Sequence, residues 1–216
     1  MLELGLKILL SYFLGSLSGS LITGRFYGGI DVRQVGSGNA GATNALRNFG
    51  WKFAFWVALI DVGKGWLPTA WLPGLELAGI GIDPEVSRSW LAVACGMAAV
   101  AGHVWPLWFG FKGGKGAATL VGVLIALAPW LSLPVLSIWV LVLILSGYVG
   151  LATVCAALSA PAAVLLAGAT TANTPLLTFA VLMSLFVVYT HRSNLRRLRA
   201  GTEERIDRVR VFHSRR

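Results

Sequence analysis

The chain has 216 residues, of which 56% are hydrophobic and only 12% are charged, and its formal net charge is +9. A soluble domain of this length needs more charge to cover its surface, so the composition excludes an ordinary soluble protein. The mean hydropathy of +0.73 instead favours an all-α protein embedded in a membrane.

Apolar runs that could cross a membrane recur along the whole chain. A spanning helix needs about 20 mostly apolar residues, or about 17 at the short end. The candidate spans are roughly 4–24, 51–73, 88–108, 116–131, 133–148, 151–168 and 175–190. Only Ser132 separates the fourth run from the fifth, and no charge marks the boundary at 148–150. We therefore expect about seven transmembrane helices.

The first two spans each carry an unusual pattern. Gly15 and Gly19 are four residues apart, so on a continuous helix they share one face and favour close helix packing. Asp61 and Lys64 are three apart in the second span, and Asp61 lies about 15 Å from the span's first residue by helical rise. An ionisable pair at that depth indicates either a functional site or a buried ion pair that orients helices. The sequence leaves both open.

Charge alternates in sign across the first three loops. Arg25, Arg33 and Arg47 follow the first span, acidic residues dominate after the second, and Lys112 and Lys115 follow the third. Nine arginines lie between residues 192 and 216. Because Lys and Arg favour the cytoplasmic side, we expect the N-terminus outside and the C-terminus in the cytoplasm. The chain would then comprise a seven-span membrane domain (1–191) and a basic tail (192–216).

The first of three polar segments reads GSGNAGATNALR and covers residues 36–47. Glycines permit positive φ and allow backbone N–H groups to approach a ligand closely. Arg47 adds a planar fork suited to phosphate. A helix that starts near Gly41 would add a favourable dipole for an anion. This segment, motif one, is predicted to bind an anion.

The second polar segment, motif two, reads GHVWPLWFGFKGGKGAAT and covers residues 102–119. Its Gly-Gly-Lys turn before the fourth span suits an anion nest. It is not a nucleotide P-loop, because only three residues separate Gly110 from Gly114 and Gly116 follows Lys115. The segment also carries His103.

The third polar segment, motif three, reads HRSNLRRLRAGTE and covers residues 191–203. His191 and Asn194 are three residues apart, so helical spacing would put them on one face. Metal binding is disfavoured, since neither a cysteine nor an acidic cluster lies near the histidines. A Ser–His–Asp triad is also disfavoured, because no Gly-x-Ser-x-Gly elbow frames Ser37.

Together, GSGNAGATNALR, GHVWP with FKGGKGAAT, and HRSN with GTE resemble the bacterial acyl-phosphate:glycerol-3-phosphate acyltransferase family (PlsY). The DVGKG stretch at 61–65 resembles a further pattern of that family. The resemblance implies a seven-span enzyme of the bacterial inner membrane whose motif loops face the cytoplasm. The implied reaction moves a fatty acyl group from acyl phosphate to the sn-1 hydroxyl of glycerol 3-phosphate and releases lysophosphatidic acid and phosphate, within phospholipid synthesis.

The resemblance also implies residue roles. The catalytic candidates are Ser37, Lys115, His191 and Asn194. The substrate-binding candidates are Gly36, Gly38, Asn39, Thr43, Asn44, Arg47, His103, Lys112, Gly113, Gly114, Gly116 and Glu203, with Asp61 and Lys64 in a second tier. For removal of the hydroxyl proton, His191 or His103 could be a general base, or acyl phosphate could take the proton itself. We favour acyl phosphate, because no carboxylate lies close in sequence to orient either histidine.

The expected partners are glycerol 3-phosphate, acyl phosphate and the lipid bilayer, with no cofactor, metal or nucleic acid. Functional coupling to the enzyme that makes acyl phosphate is a further expectation. The alternative function is a membrane transporter or channel for a phosphorylated anion, which seven spans with polar residues at an interface would also suit. The enzyme is favoured because the motifs lie at one face and the two halves show no inverted repeat.

Overall fold

The computed structural model describes residues 1–168 and 173–206, so the last part of the basic tail, residues 207–216, lies outside the described chain. In this part of the chain the structure is helical and has no β-strand, apart from an isolated bridge between Leu77 and Ile80. The α-helices are α1 (Leu2–Gly15), α2 (Gly19–Phe26), α3 (Ala42–Trp71), α4 (Arg88–Val104), α5 (Ala117–Leu127), α6 (Pro129–Ser146), α7 (Val149–Leu166), α8 (Thr174–Thr190) and α9 (Arg192–Arg199). Short 3₁₀ turns lie at Val32–Gln34, Leu72–Gly74 and Leu107–Phe109. The all-α prediction is confirmed.

The chain divides into two compact units, one of Met1–Leu127 and one that begins at Ala128. In the first unit, glycines let the helix backbones approach closely. A Cβ at Gly15 of α1 would collide with the backbone of Ala99 in α4, and one at Gly65 of α3 would collide with that of Thr119 in α5. Close approach of this kind is typical of membrane helices, which pack through small residues.

The first predicted span is broken. α1 ends at Gly15, α2 begins at Gly19, and the two helices are bent by 44°. Gly19 therefore does not continue the face of Gly15, and the prediction of one continuous glycine face is wrong. A Cβ at Gly19 would instead meet the backbone of Val57 and the carboxylate of Asp61, both in α3. The break gives each glycine a different neighbouring helix.

α3 is also interrupted, because Gly50 has φ 81° and ψ 179° in the middle of it. The segment before Gly50 carries the second half of motif one, and the segment after it corresponds to the predicted span at 51–73. Glycine suits this position because positive φ is costly for a residue with a side chain.

In the second unit, α7 packs against both α6 and α8. Trp139 of α6 donates a hydrogen bond from Nε1 to Thr153 Oγ1 at 3.1 Å, and Ser184 of α8 donates to the Ala157 carbonyl at 2.6 Å. The weakly marked boundary at 148–150 is close to the observed one, where Gly147 caps α6 in the left-handed region. The boundary expected at Ser132 is wrong: α5 ends at Leu127, and α6 runs through Ser132.

Three helical segments in the described residues have the length and composition to cross a membrane. They are Arg88–Phe109, Pro129–Ser146 and Val149–Leu166. The total rises to five if α1 with α2, and α8 with α9, each count as one bent span. α5 is apolar but has only 11 residues. The helical, apolar character of an integral membrane protein is thus evident, with three to five candidate spans by these measures.

Two buried ion networks lie within the first unit. Near the start of α1, Lys7 Nζ contacts Glu3 Oε1 at 2.6 Å, and Arg88 also binds this carboxylate. Lys7 and Arg88 both donate to the carbonyl of Pro73 as well. This network ties α1 to the 3₁₀ turn Leu72–Gly74 that follows α3, and to the start of α4. The second network, around Asp61, lies close to motif two.

Candidate functional site

Motif one forms a loop that leads directly into α3. Gly36 and Gly38 have positive φ values of 56° and 69°, and Gly41 is the N-cap of α3. The expected helix start near Gly41 is therefore confirmed. The N-terminal end of α3, with its N–H groups, belongs to the glycine loop, as an anion site requires.

Asn44 holds the loop together from inside. Its side chain is buried, its Oδ1 accepts from the Ser37 N–H at 3.0 Å, and its Nδ2 donates to the carbonyls of Val32 and Val35 at 2.9 and 3.0 Å. Asn48 donates a further bond to Asn44 Oδ1. The side chain of Asn44, which the family resemblance implied as a substrate ligand, instead fixes the backbone of motif one.

The other candidates of motif one lie nearer the surface. Ser37, Gly36, Gly38 and Arg47 are exposed, and Asn39 and Thr43 are half-buried. Thr43 and Arg47 are four residues apart in α3, so they lie on the same helix face. The structure therefore presents a hydroxyl and a guanidinium together at the first two turns of α3.

Motif two folds back onto the end of α4. The N–H groups of Gly113 and Gly114 donate to the carbonyls of Val104 and His103, each at 3.2 Å. Gly116 has φ 90°, and α5 begins at the next residue. The amides of Gly113 and Gly114 therefore hold the turn in place, and Lys115 lies two residues before the start of α5.

Motifs one and two meet at His103. A Cβ at Gly114 would collide with His103 Nε2 and would approach the Ala40 carbonyl to 3.0 Å. His103 itself is 4% exposed. The histidine thus lies beneath the point where the two glycine segments touch.

Asp61 and Lys64 form the expected ion pair, at 2.8 Å, and both are buried. Asp61 Oδ1 also accepts from the Gly19 N–H at 3.1 Å, and Lys64 donates to the Leu17 carbonyl at 2.8 Å. The pair therefore fixes the break between α1 and α2, which supports the helix-orienting interpretation.

The same carboxylate lies beside a motif histidine. His103 Nδ1 is 3.5 Å from Asp61 Oδ1. The sequence shows no carboxylate near either histidine, but folding brings this one in from 42 residues away in the chain. Asp61 can therefore orient the helices through Lys64 and Gly19 and also support His103 of motif two.

Arg33 organises motif two, although its place in the sequence indicated only a positive charge on a cytoplasmic loop. Its Nη1 donates to the carbonyls of Phe109 and Lys112 at 3.0 and 3.3 Å, while Nη2 contacts Asp31 Oδ2 at 2.8 Å. The guanidinium lowers the pKa of Asp31 through this hydrogen-bonded pair. The sequence signal that could have indicated this role is the pair Asp31-x-Arg33 just before the glycines of motif one.

Motif three lies in the second unit and begins at a bend. α8 ends at Thr190, α9 begins at Arg192, and the two helices are bent by 55° at His191. His191 and Asn194 are therefore not on the one continuous helix that their spacing predicted: His191 lies at the bend and Asn194 lies in α9. His191 is 5% exposed, and its Nδ1 lies 3.0 Å from the Val187 carbonyl. Since a carbonyl only accepts, Nδ1 carries the proton.

Glu203 unites the rest of motif three. Asn194 Nδ2 donates to Glu203 Oε1 at 2.6 Å, and Arg197 Nε contacts Glu203 Oε2 at 2.7 Å. A Cβ at Gly150 would come within 2.9 Å of the Asn194 amide, so the start of α7 packs against this side chain. The structure thus brings Asn194 and Glu203 together and adds Arg197 and Gly150.

These features define a helical membrane protein with glycine-lined, basic loops suited to phosphate groups. Residues 5–201 match the family model for glycerol-3-phosphate acyltransferase. A glycerol-3-phosphate acyltransferase of Synechococcus sp. (strain CC9902) is 43% identical over 93% of this chain and 94% of its own length. That of Chlorobaculum tepidum is 36% identical over 92% of this chain and 94% of its own length.

Two solved structures extend the similarity to the fold. A crystal structure of PlsY (YgiH), an integral membrane glycerol 3-phosphate acyltransferase in its glycerol 3-phosphate form, has a TM-score of 0.80 at 34% identity and covers 94% of this chain and 95% of its own. The lysophosphatidic acid form has a TM-score of 0.78 at the same identity, with 94% of each chain covered. The chain belongs to the glycerol-3-phosphate acyltransferase family, and it is an integral membrane acyltransferase.

Proposed function

We propose that the protein transfers a fatty acyl group from acyl phosphate to the sn-1 hydroxyl of glycerol 3-phosphate. The observation that carries this proposal is the match, over 94% of the chain, to PlsY in forms named for glycerol 3-phosphate and lysophosphatidic acid. Those names supply the acceptor and the product for this chain. The relatives reported above are acyltransferases, which favours the enzyme over a transporter or channel for a phosphorylated anion.

The donor follows from the chemistry of the motifs. Acyl-CoA-dependent glycerolipid acyltransferases carry an HxxxxD motif, but here the fifth residue after His103 is Trp108 and the fifth after His191 is Arg196. Two glycine segments with basic residues suit two phosphate groups. Acyl phosphate and glycerol 3-phosphate each bring one, which makes acyl phosphate the fitting donor.

We assign glycerol 3-phosphate to motif one and the donor phosphate to motif two. Arg47 and Thr43 share a face at the start of α3, next to exposed Ser37, and would bind the acceptor's phosphate. Lys115 and the start of α5 would bind the donor's phosphate. Gly113 and Gly114 would act by shaping the turn, since their amides are already bonded to α4. Lys112 remains a weaker candidate, because its exposed side chain would equally suit lipid headgroups.

The reaction needs little activation, because phosphate is a good leaving group. The acceptor oxygen attacks the acyl carbonyl carbon, the bond from that carbon to the phosphate oxygen breaks, and the departing phosphate takes the hydroxyl proton. Lys115 neutralises the negative charge that grows on the leaving phosphate. His103 braces the two glycine segments, and a role of His191, Asn194 and Glu203 in holding the acceptor stays a prediction from the family resemblance. Positioning and charge stabilisation are then the main contributions of the protein.

In the membrane, we propose seven crossings with the N-terminus outside and the C-terminus in the cytoplasm, on the bacterial inner membrane. Support comes from the charge alternation of the loops and from five apolar segments, two of them bent. α3 would cross after Gly50, and α5 would cross as a short span. All three motifs would then face the cytoplasm, where the enzyme that makes acyl phosphate could deliver it. In this arrangement residues 1–191 are the catalytic domain and 192–216 the basic tail.

The test is an acyl-transfer assay with purified protein, labelled glycerol 3-phosphate and acyl phosphate, with acyl-CoA as the parallel donor. We expect labelled lysophosphatidic acid from acyl phosphate alone. Lys115→Ala protein, purified in the same way, controls for a contaminating enzyme. Product formed only from acyl-CoA would refute the proposed donor. No product from either donor in folded protein would refute the proposed reaction.

A further inference from the structure

Motif two contains a strained residue. Phe111 has φ 59° and is the only non-glycine residue with positive φ in the described ranges 1–168 and 173–206. The left-handed region is sterically unfavourable for a residue with a side chain, especially a bulky one. Gly110 before it also has positive φ, at 66°. Such a conformation persists only where surrounding contacts enforce it.

Packing of the Phe111 side chain does not provide that enforcement, because the residue is 55% exposed. The contacts are made by the backbone around it. The Phe111 N–H donates to the Pro106 carbonyl at 2.9 Å. The carbonyls on either side, of Phe109 and Lys112, both accept from one nitrogen of Arg33. One side chain therefore spans the strained residue from both sides.

Asp31 holds the Arg33 guanidinium in a fixed orientation. Arg33 Nε and Nη2 contact the two carboxylate oxygens of Asp31 at 3.0 and 2.8 Å. The same carboxylate accepts from the backbone N–H of Arg33 at 2.9 Å. The remaining edge of the planar guanidinium then points at the two carbonyls. A lysine offers no such fork and could not satisfy Asp31 and both carbonyls in one rigid geometry.

We infer that Arg33 is a positioning residue for the acyl donor: it holds the strained turn at Phe111, and through that turn it places Lys115 for the donor phosphate. Asp31 is the anchor that orients Arg33. This inference rests on the proposed function, because it assigns motif two to the donor. It goes beyond that function by making an arginine outside motif two responsible for the geometry of the donor site.

The first experiment measures backbone hydrogen exchange and steady-state kinetics on full-length Arg33→Gln protein. Arg25→Gln is the matched control, because it removes an exposed arginine from α2 that lies outside the turn. We expect Arg33→Gln to speed exchange in residues 109–114 and to lower kcat/KM for the acyl donor by about 10- to 100-fold. The KM for glycerol 3-phosphate should not change. Arg33→Lys should fall between wild type and Arg33→Gln, and Arg25→Gln should match wild type in both measurements.

The second experiment relieves the strain. Asn tolerates the left-handed region better than Phe, so Phe111→Asn should keep the turn in place with less need of Arg33. In the Arg33→Gln background, Phe111→Asn should therefore recover part of the lost donor kcat/KM. If the two effects simply add, Arg33 does not act by holding the strained residue, and the inference is wrong.

The outcomes separate this inference from the proposed function. Unchanged exchange in residues 109–114 of Arg33→Gln overturns the inference, whatever the activity. Faster exchange with unchanged donor kinetics in an active enzyme overturns it too, because the turn then has no effect on the reaction. An equal rise in the KM for both substrates indicates a general structural defect and also overturns it. Wild-type protein that does not use acyl phosphate refutes the proposed function and this inference with it.

Discussion

Arg47 is the residue on which acceptor binding is expected to depend most. It lies on the same face of α3 as Thr43, and its guanidinium can bind a phosphate through two parallel hydrogen bonds. Arg47→Lys keeps the charge and removes this geometry. We expect the KM for glycerol 3-phosphate to rise about 10-fold, equivalent to ~1.4 kcal/mol, with little change in kcat. Arg25→Lys is the control, and an unchanged KM in folded Arg47→Lys protein would remove Arg47 from this role.

Lys115 should affect the chemical step more than binding. Negative charge builds up on the donor phosphate as it leaves, so its stabilisation by Lys115 is strongest in the transition state. By analogy with the loss of one oxyanion donor, Lys115→Ala should lower kcat by about 10²- to 10³-fold. Lys52→Ala, which removes an exposed lysine outside the motifs, controls for net charge. A near-normal kcat for Lys115→Ala would contradict the assignment.

His191 tests whether the substrate or the protein takes the proton. Its Nδ1 donates to the Val187 carbonyl, so in the neutral ring Nε2 has the lone pair and the histidine could serve as a base. On the substrate-assisted mechanism it only positions glycerol 3-phosphate. His191→Gln, which keeps a hydrogen-bond donor, should then retain substantial activity, whereas His191→Ala should lose more.

The measurement is the pH dependence of kcat/KM for wild type and His191→Gln. Substrate-assisted transfer predicts no change in the shape of the profile between the two proteins. An inactive Gln variant, together with a wild-type limb in the range where histidines ordinarily titrate, would show that His191 is the general base.

At the scale of single elements, the loop of motif one depends on Asn44. Asn44→Ala would leave the N–H of Ser37 and the carbonyls of Val32 and Val35 without this partner. The cost of losing such bonds in a buried site is about 1–3 kcal/mol, so the melting temperature should fall. Asn48→Ala, which removes bonds at an exposed side chain, should cost less. Equal stability of the two variants in thermal unfolding would show that Asn44 does not hold the loop.

The sequence predicted the helical class, the polar motifs and the start of α3, because these depend on local composition. It missed features set by contacts between distant segments. Ser132 looked like a boundary because two prolines flank it, yet the helix runs through it and the chain breaks at Ala128 instead. The spacing of Gly15 and Gly19 predicted one helix face, but the helix is broken between them. The Leu17 carbonyl and the Gly19 N–H at this break are bound by Lys64 and Asp61 of α3. No local pattern contains that information.

The candidate site shows the same division. Arg47, Lys115, His191 and Asn194 stand out by residue type within glycine-rich segments. Arg33 and Asp61, which contact motif two, do not stand out, because each lies far from that motif in the chain. An arginine in a membrane protein loop is ordinarily explained by topology. Only the folded arrangement shows that Arg33 binds the carbonyls of motif two.

At the scale of the whole molecule, the first unit places buried ion networks at both ends of α4. Glu3, Lys7 and Arg88 join the helices at its start, while Asp61 and Lys64 lie beside His103 near its end. Both networks orient helices, so breaking either should destabilise the protein. Removing one partner of a buried pair typically costs about 3–5 kcal/mol, because the other charge is left uncompensated. Only the second network lies against a motif.

This difference separates a structural role from a role in the reaction. Glu3→Gln and Asp61→Asn each neutralise one buried carboxylate without a change in size, and both should lower the melting temperature. Asp61→Asn should also lower kcat/KM by roughly 10-fold or more. A shift of about 1 Å in the position of a catalytic group can lower the rate about 100-fold. The reason is that the His103 ring loses its charged neighbour while packed against Gly114, next to Lys115. Glu3→Gln, assayed well below its melting temperature, should retain wild-type kinetics. If both variants keep wild-type kinetics, the Asp61 network contributes only to the stability of the fold. If both variants lose activity in proportion to their loss of stability, the kinetic defect results from the weakened fold and not from a displaced motif two.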